Sequence, residues 1–102
     1  MIIVVGEVRF GKGELQRLRT SLEMLAAASR HEPGCLHFSL AYDALDPDLL
    51  IVSHRWSDEH SMGAHYRSGH VLQLNDLVDE DKIEAMSIKA YDGRLIRTLM
   101  SR

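Results

Sequence analysis

"CLHFSLAYDALDPDLLIVSHRW", residues 35–56, decides the fold. Two runs of alternating character flank the connection "DALDPD" at 43–48. Successive side chains of a strand point to opposite faces. The first run, 35–42, therefore sets Leu36, Phe38, Leu40 and Tyr42 on one face and Cys35, His37, Ser39 and Ala41 on the other. The second, 49–56, sets Leu50, Val52, His54 and Trp56 against Leu49, Ile51, Ser53 and Arg55. Asp and Pro between them supply turn chemistry, so the two runs pair as an antiparallel hairpin.

Upstream, "IIVVGEVRF" at 2–10 reads as a strand whose first residues are apolar on both faces. The glycines of "GKG" at 11–13 break it, and Glu14 opens a helix with an acid in its first turn. Leu15, Leu18, Leu22, Leu25 and Ser29 form one helical stripe. "HEPG" at 31–34 ends it, because Pro33 cannot continue a helix. Downstream, Ser57 or Asp58 caps a helix running to about residue 67. "RSG" at 67–69 interrupts it, and a short helix over 70–78 carries Val71, Leu72, Leu74, Leu77 and Val78. After the solvated connector "DEDK", residues 83–91 read as a fourth strand.

The order strand, helix, strand, strand, helix, strand specifies an α+β fold, a ferredoxin-like split βαβ sandwich, in one domain spanning 1–102. Both helices cover one sheet face. Strands one and three are apolar on their second face as well, and a lone chain would leave that patch bare. A homodimer covers it, two sheets then forming a dimeric α+β barrel. Residues 93–102 are expected to cross to the partner as an extra strand.

Composition removes several functions. A net charge of −3 argues against nucleic acid as partner, since that footprint is basic. No apolar run is long enough for a membrane span. The opening "MIIVVGEV" has no basic n-region or small-residue cleavage site and reads as a strand, not a signal peptide. Cys35 is alone, which rules out an internal disulfide and fits a reducing cytoplasm.

Four of the six histidines lie between 54 and 70. His60, His65 and His70 are evenly spaced by five, which suggests a metal. Five residues rotate successive side chains by about 140° on an ideal helix, so the three cannot converge from one continuous helix, although a break at Gly69 can bring one pair together. No acid or Cys stands at a convincing third position, so no metal is expected. His60 reads as a surface residue. His65 belongs to a partly apolar helix face with Met62 and Tyr66, and His54 and Trp56 share a strand face just before that helix. If that face looks toward the helices, His54, Trp56 and His65 line one concavity. An imidazole there can move protons near neutral pH, and an indole can stack on a flat ring. A histidine bonded to a backbone carbonyl beside a core Trp accounts for the same pattern.

"EPGCLHF" at 32–38, Asp46-Pro47, Trp56-Ser57-Asp58, His65 and His70 resemble the antibiotic biosynthesis monooxygenase superfamily. Its pattern runs E-x-G-C after the first helix, a hairpin, E-x-W-x-S/D, a His nine residues after the Trp and commonly another five later. The resemblance spans essentially the whole chain and implies a dimeric α+β barrel. It also implies oxygenation, without a cofactor, of a small aromatic or quinol-like substrate by molecular oxygen. On these positions it implies His65 as base or hydrogen-bond donor, Trp56 stacking on the substrate and His54 beside them. Phe38, Val52, Met62 and Tyr66 would form the pocket wall, with His70 at its rim. Arg55 points to the opposite face, where an ion pair is its expected role. One departure is that His54 stands where the family usually has Glu. Gly6 and Glu7 stand where haem-degrading members carry Asn, which disfavours haem breakdown. The competing readings are an isomerase or lyase of a small oxo compound, and a non-catalytic ligand-binding, stress-associated dimer.

Overall fold

The hairpin forms as its pattern predicts. β2 (Cys35–Tyr42) and β3 (Leu49–Trp56) pair antiparallel, with Phe38 opposite His54, Leu40 opposite Val52 and Tyr42 opposite Leu50. The turn aspartates all accept hydrogen bonds. Asp43 takes the Leu45 N–H and Asp46 the Asp48 N–H, both at 2.9 Å, while Arg9 ion-pairs with Asp46. One detail departs from strict alternation. The register shifts between Cys35 and His37, so Leu36 is the extra residue of a bulge. Cys35 therefore packs against the core beside Trp56, and Leu36 is exposed.

This computed structural model describes residues 1–102. The remaining elements are β1 (Ile2–Phe10), α1 (Glu14–Ser29), α2 (Glu59–Tyr66), α3 (Gly69–Leu77), a single 3-10 turn at Glu80–Lys82, and β4 (Ile83–Asp92). The sheet order is β2-β3-β1-β4, with antiparallel neighbours throughout. This is the ferredoxin-like α+β arrangement that the element order predicts.

The helices cover the face carrying Val4, Val8, Phe38, Leu50, Val52, His54 and Trp56, all buried. The predicted α1 stripe, Leu15, Leu18, Leu22, Leu25 and Ser29, is buried on it. Each buried Leu or Val contributes about 1.5–3 kcal/mol relative to exposure. Two apolar clusters result, one around Leu15, Leu18, Phe10 and Val52, the other around Trp56, Phe38, Leu25 and Val71. Leu40 and Leu74 touch both.

β4 forms, but the helices do not reach over it, and Met86 on their side stays 63% exposed. Its backbone presses closely on β1 at Gly6. A Cβ at Gly6 would overlap the Ser87 carbonyl oxygen and lie 2.6 Å from Ile88 Cα, so only Gly fits. Residues 93–102 have no regular structure in the single chain, and Leu95, Ile96, Leu99 and Met100 are exposed. No helix is long and apolar enough to cross a membrane.

Candidate active site

The site begins with a tight turn. Pro33 and Gly34 occupy the middle of a turn closed by the Cys35 N–H on the Glu32 carbonyl at 3.1 Å. Gly34 has φ +79°, the left-handed value that the third position of a type II turn requires. The Gly34 carbonyl accepts the Ser57 N–H at 2.8 Å, and a Cβ on Gly34 would overlap Ser61 Oγ. The turn is thereby seated against the start of α2 and delivers the Glu32 carboxylate to the α2–α3 junction.

That junction is capped on both sides. Asp58 accepts the Ser61 N–H at 2.7 Å at the start of α2, and Ser68 caps α3. Ser68 Oγ also donates to the His65 carbonyl at 2.6 Å. The break between the helices brings the His65 and His70 rings to 6.0 Å between centroids. Both then meet one oxygen, with His65 Nδ1 at 2.8 Å and His70 Nε2 at 2.6 Å from Glu32 Oε1. His60 is exposed and stays apart, whereas the helix break lets His65 and His70 converge as one pair. The chain break supplies the missing rotation, and the third group, an acid absent from the local sequence, arrives from 33 residues upstream of His65.

Hydrogen-bonding capacity fixes the proton positions on the two buried imidazoles. An ionised carboxylate only accepts, so neutral His65 carries its proton on Nδ1 and leaves Nε2 as a lone pair. Nε2 has no hydrogen bond within the chain, and Ser29 Oγ is the only fully buried side-chain polar atom left unpaired. His54 is set the other way. The indole N–H of Trp56, a donor only, lies 2.6 Å from His54 Nδ1. His54 therefore carries its proton on Nε2, which lies 3.4 Å from the Tyr66 hydroxyl. Burial, and then the neighbouring His65, lower the His54 pKa from 6.5 to about 4, so it stays neutral at pH 7. Burial also raises the Tyr66 phenol and keeps it protonated. Phe38 stacks on His54, with centroids 4.8 Å and planes 20° apart, and holds the ring in place.

These groups face a cavity of about 190 Å³ between sheet and helices. His54, His65, Tyr66, Phe38 and Val52 line it as the sequence suggests. Leu18, Leu22 and Leu25 of α1, with Met86 and Ile88 of β4, complete walls that sequence reasoning did not name. Three expected residues do not line it. Trp56 has no exposed surface, so its ring cannot stack on a ligand; it sits behind His54 as the donor that sets its tautomer. Met62 packs on the Trp56 cluster and borders a different groove, beside Met1 and Ile2. His70 is turned to Glu32 instead of the cavity. Arg55 is exposed and makes no ion pair; its guanidinium reaches only Met1 Sδ, at 3.8 Å.

Residues 1–77 match the profile of the antibiotic biosynthesis monooxygenase family. The chain belongs to that family. Among solved structures, a candidate antibiotic biosynthesis monooxygenase of Deinococcus radiodurans is 25% identical, with a TM-score of 0.87 over 99% of this chain and 100% of that one. A second candidate of the same family, from Nitrosomonas europaea, is 21% identical at TM-score 0.83, covering 91% of this chain and 98% of its own. A conserved protein of Methanosarcina mazei is 22% identical at TM-score 0.80, covering 91% and 92%. The last two likenesses concern the fold. No curated protein matches the chain.

Proposed function

We propose that this family member is a cofactor-independent monooxygenase for small aromatic or quinol-like substrates, with His65 as the base. The observation that carries the reading is the pair of buried imidazoles of opposite tautomer facing one apolar cavity. His65 offers a lone pair whose ring is oriented by Glu32, and His54 offers an N–H. A phenol or enol placed between them gives its proton to His65 Nε2. The oxyanion that develops is met by the His54 N–H and the Tyr66 hydroxyl. An electron-rich anion of this kind transfers an electron to dioxygen without help. Where the reacting carbon is a CH2, combination with dioxygen followed by loss of water leaves C=O, and the substrate supplies all the electrons. The cavity volume lies under the ~300–1,000 Å³ usual for drug-sized ligands, which favours small substrates.

A homodimer is part of the reading. The sheet face away from the helices presents Ile3, Val5, Ile51 and Tyr91, and the exposed tail adds Leu95, Ile96, Leu99 and Met100. A second copy would cover this surface, the tail crossing to it as a strand.

The test is oxygen uptake with a panel of small quinols, phenols and anthrones. Wild type should consume oxygen with at least one, and His65→Ala should lower the rate about 10²–10⁴-fold, the usual worth of a positioned base. Turnover undiminished in His65→Ala would refute the assignment. Substrate conversion without oxygen uptake would point instead to a proton-shift isomerase.

A further inference from the structure

The Glu32–His65–His70 cluster does more than orient a base. We propose that it is a site for one first-row divalent metal ion per chain, with Zn2+ as the probe. Three donor atoms, Glu32 Oε1, His65 Nδ1 and His70 Nε2, lie within 4.8 Å of one another and come from three different segments. Two imidazole nitrogens and one carboxylate oxygen form a borderline set that suits Zn2+, Ni2+, Cu2+ or Fe2+ and not the oxygen-seeking Mg2+ or Ca2+. The set leaves a tetrahedral fourth position open for water. His65 and Glu32 are largely buried and therefore fixed. The His70 side chain is 26% exposed, which gives the ion an entry path and a ligand able to shift the few tenths of an ångström that metal–nitrogen bonds need.

Occupancy has a chemical consequence. A metal on His65 Nδ1 displaces the proton there, so neutral His65 must carry its proton on Nε2. The cavity then faces a donor in place of a lone pair. On the proposed function above, the metal-loaded chain has no base, and the ion acts as an inhibitor.

Equilibrium dialysis of the full chain against micromolar Zn2+, followed by elemental analysis, tests the site. Wild type and His60→Ala should each retain one ion, whereas Glu32→Gln and His70→Ala should bind at least ~10-fold more weakly. Co2+ loading provides a second measure, since its visible absorption reports nitrogen and oxygen ligation and should be lost in the same two variants. His70 is outside the apolar core, so His70→Ala tests the site without unfolding the chain. No uptake by wild type, or equal uptake by His70→Ala, would overturn the proposal. Zn2+ that binds and leaves oxygen uptake unchanged would keep the site and refute His65 as the base.

Discussion

Trp56 and His54 form a buried donor–acceptor pair, so deleting either should cost more than its size. Trp56→Phe removes about 40 Å³ from a fully buried position, worth roughly 1 kcal/mol at ~24 cal/mol per Å³. It also leaves His54 Nδ1 without its only donor, and an orphaned buried acceptor costs about 1–3 kcal/mol. The variant should therefore lose roughly 2–4 kcal/mol. His54→Leu leaves the indole N–H orphaned instead, at a similar polar cost. The double variant has neither orphan and should fall short of the sum of the singles by both orphan costs together, about 2–6 kcal/mol. Urea denaturation at pH 7.5 and one fixed protein concentration measures all four corners of the cycle. In parallel, nitrogen NMR should show His54 with a bare Nδ1 and a protonated Nε2, a pattern that Trp56→Phe abolishes. Additivity within ~0.5 kcal/mol would mean that the 2.6 Å contact is mere packing, and the tautomer argument would fall with it.

His54 also sets a pH dependence. Folded, it takes a proton only near pH 4, whereas an unfolded His does so near ~6.5. Between those values the unfolded chain binds the extra proton, so stability falls as pH drops through the window and levels off beneath it. The gap is on the order of 3 kcal/mol. The charges of His65, Glu32 and His37 act on the ring and the Tyr66 hydroxyl lies 3.4 Å from it, and denaturation of His54→Leu against wild type from pH 4 to 7.5 isolates its share. Gly6→Ala should cost about 1–3 kcal/mol and speed amide hydrogen exchange across β4, because the new Cβ meets β4 backbone and not a movable side chain; unchanged exchange would refute the close approach. Wild type should sediment as a dimer at micromolar concentration and Val5→Asp as a monomer, while a monomeric wild type would remove the argument from the bare sheet face.

Much of the fold was legible because the periodic signals were local. The α1 stripe and the β3 alternation lie where the sequence puts them, and Trp56 and His54 do face the helices. What escaped was geometry that local period does not encode. The bulge at Leu36 adds one residue to β2 and inverts the predicted facing of Cys35. For Trp56 the pattern allows either a stacking wall or a core indole, and only its burial decides between them. Glu32 was visible within "EPGC", but its role depends on the α2–α3 break carrying His65 and His70 to it, a long-range meeting. The five-residue spacing misled for the same reason. The break at 67–69 is legible, but not that Ser68 caps a new helix there whose first turn carries His70 onto the same carboxylate oxygen as His65.

The substitution of His54 for the Glu that the family pattern usually shows has a physical consequence at this position. Either residue can accept the Trp56 indole N–H, so the buried donor stays satisfied in both cases. The difference lies at the other end of the side chain. A carboxylate there would put a second negative charge near Glu32, beside an apolar cavity where charge is poorly screened. It could also offer no proton to a substrate oxygen. Neutral His54 removes that charge and presents an N–H at the place where a phenolate would form. The exchange suits a reaction that builds negative charge in the cavity. His54→Glu should therefore weaken deprotonation of a bound phenol even if the fold is kept, and the phenol's absorbance shift on titration would show it. A phenol that ionises as readily in His54→Glu as in wild type would mean that the cavity's charge does not govern this step.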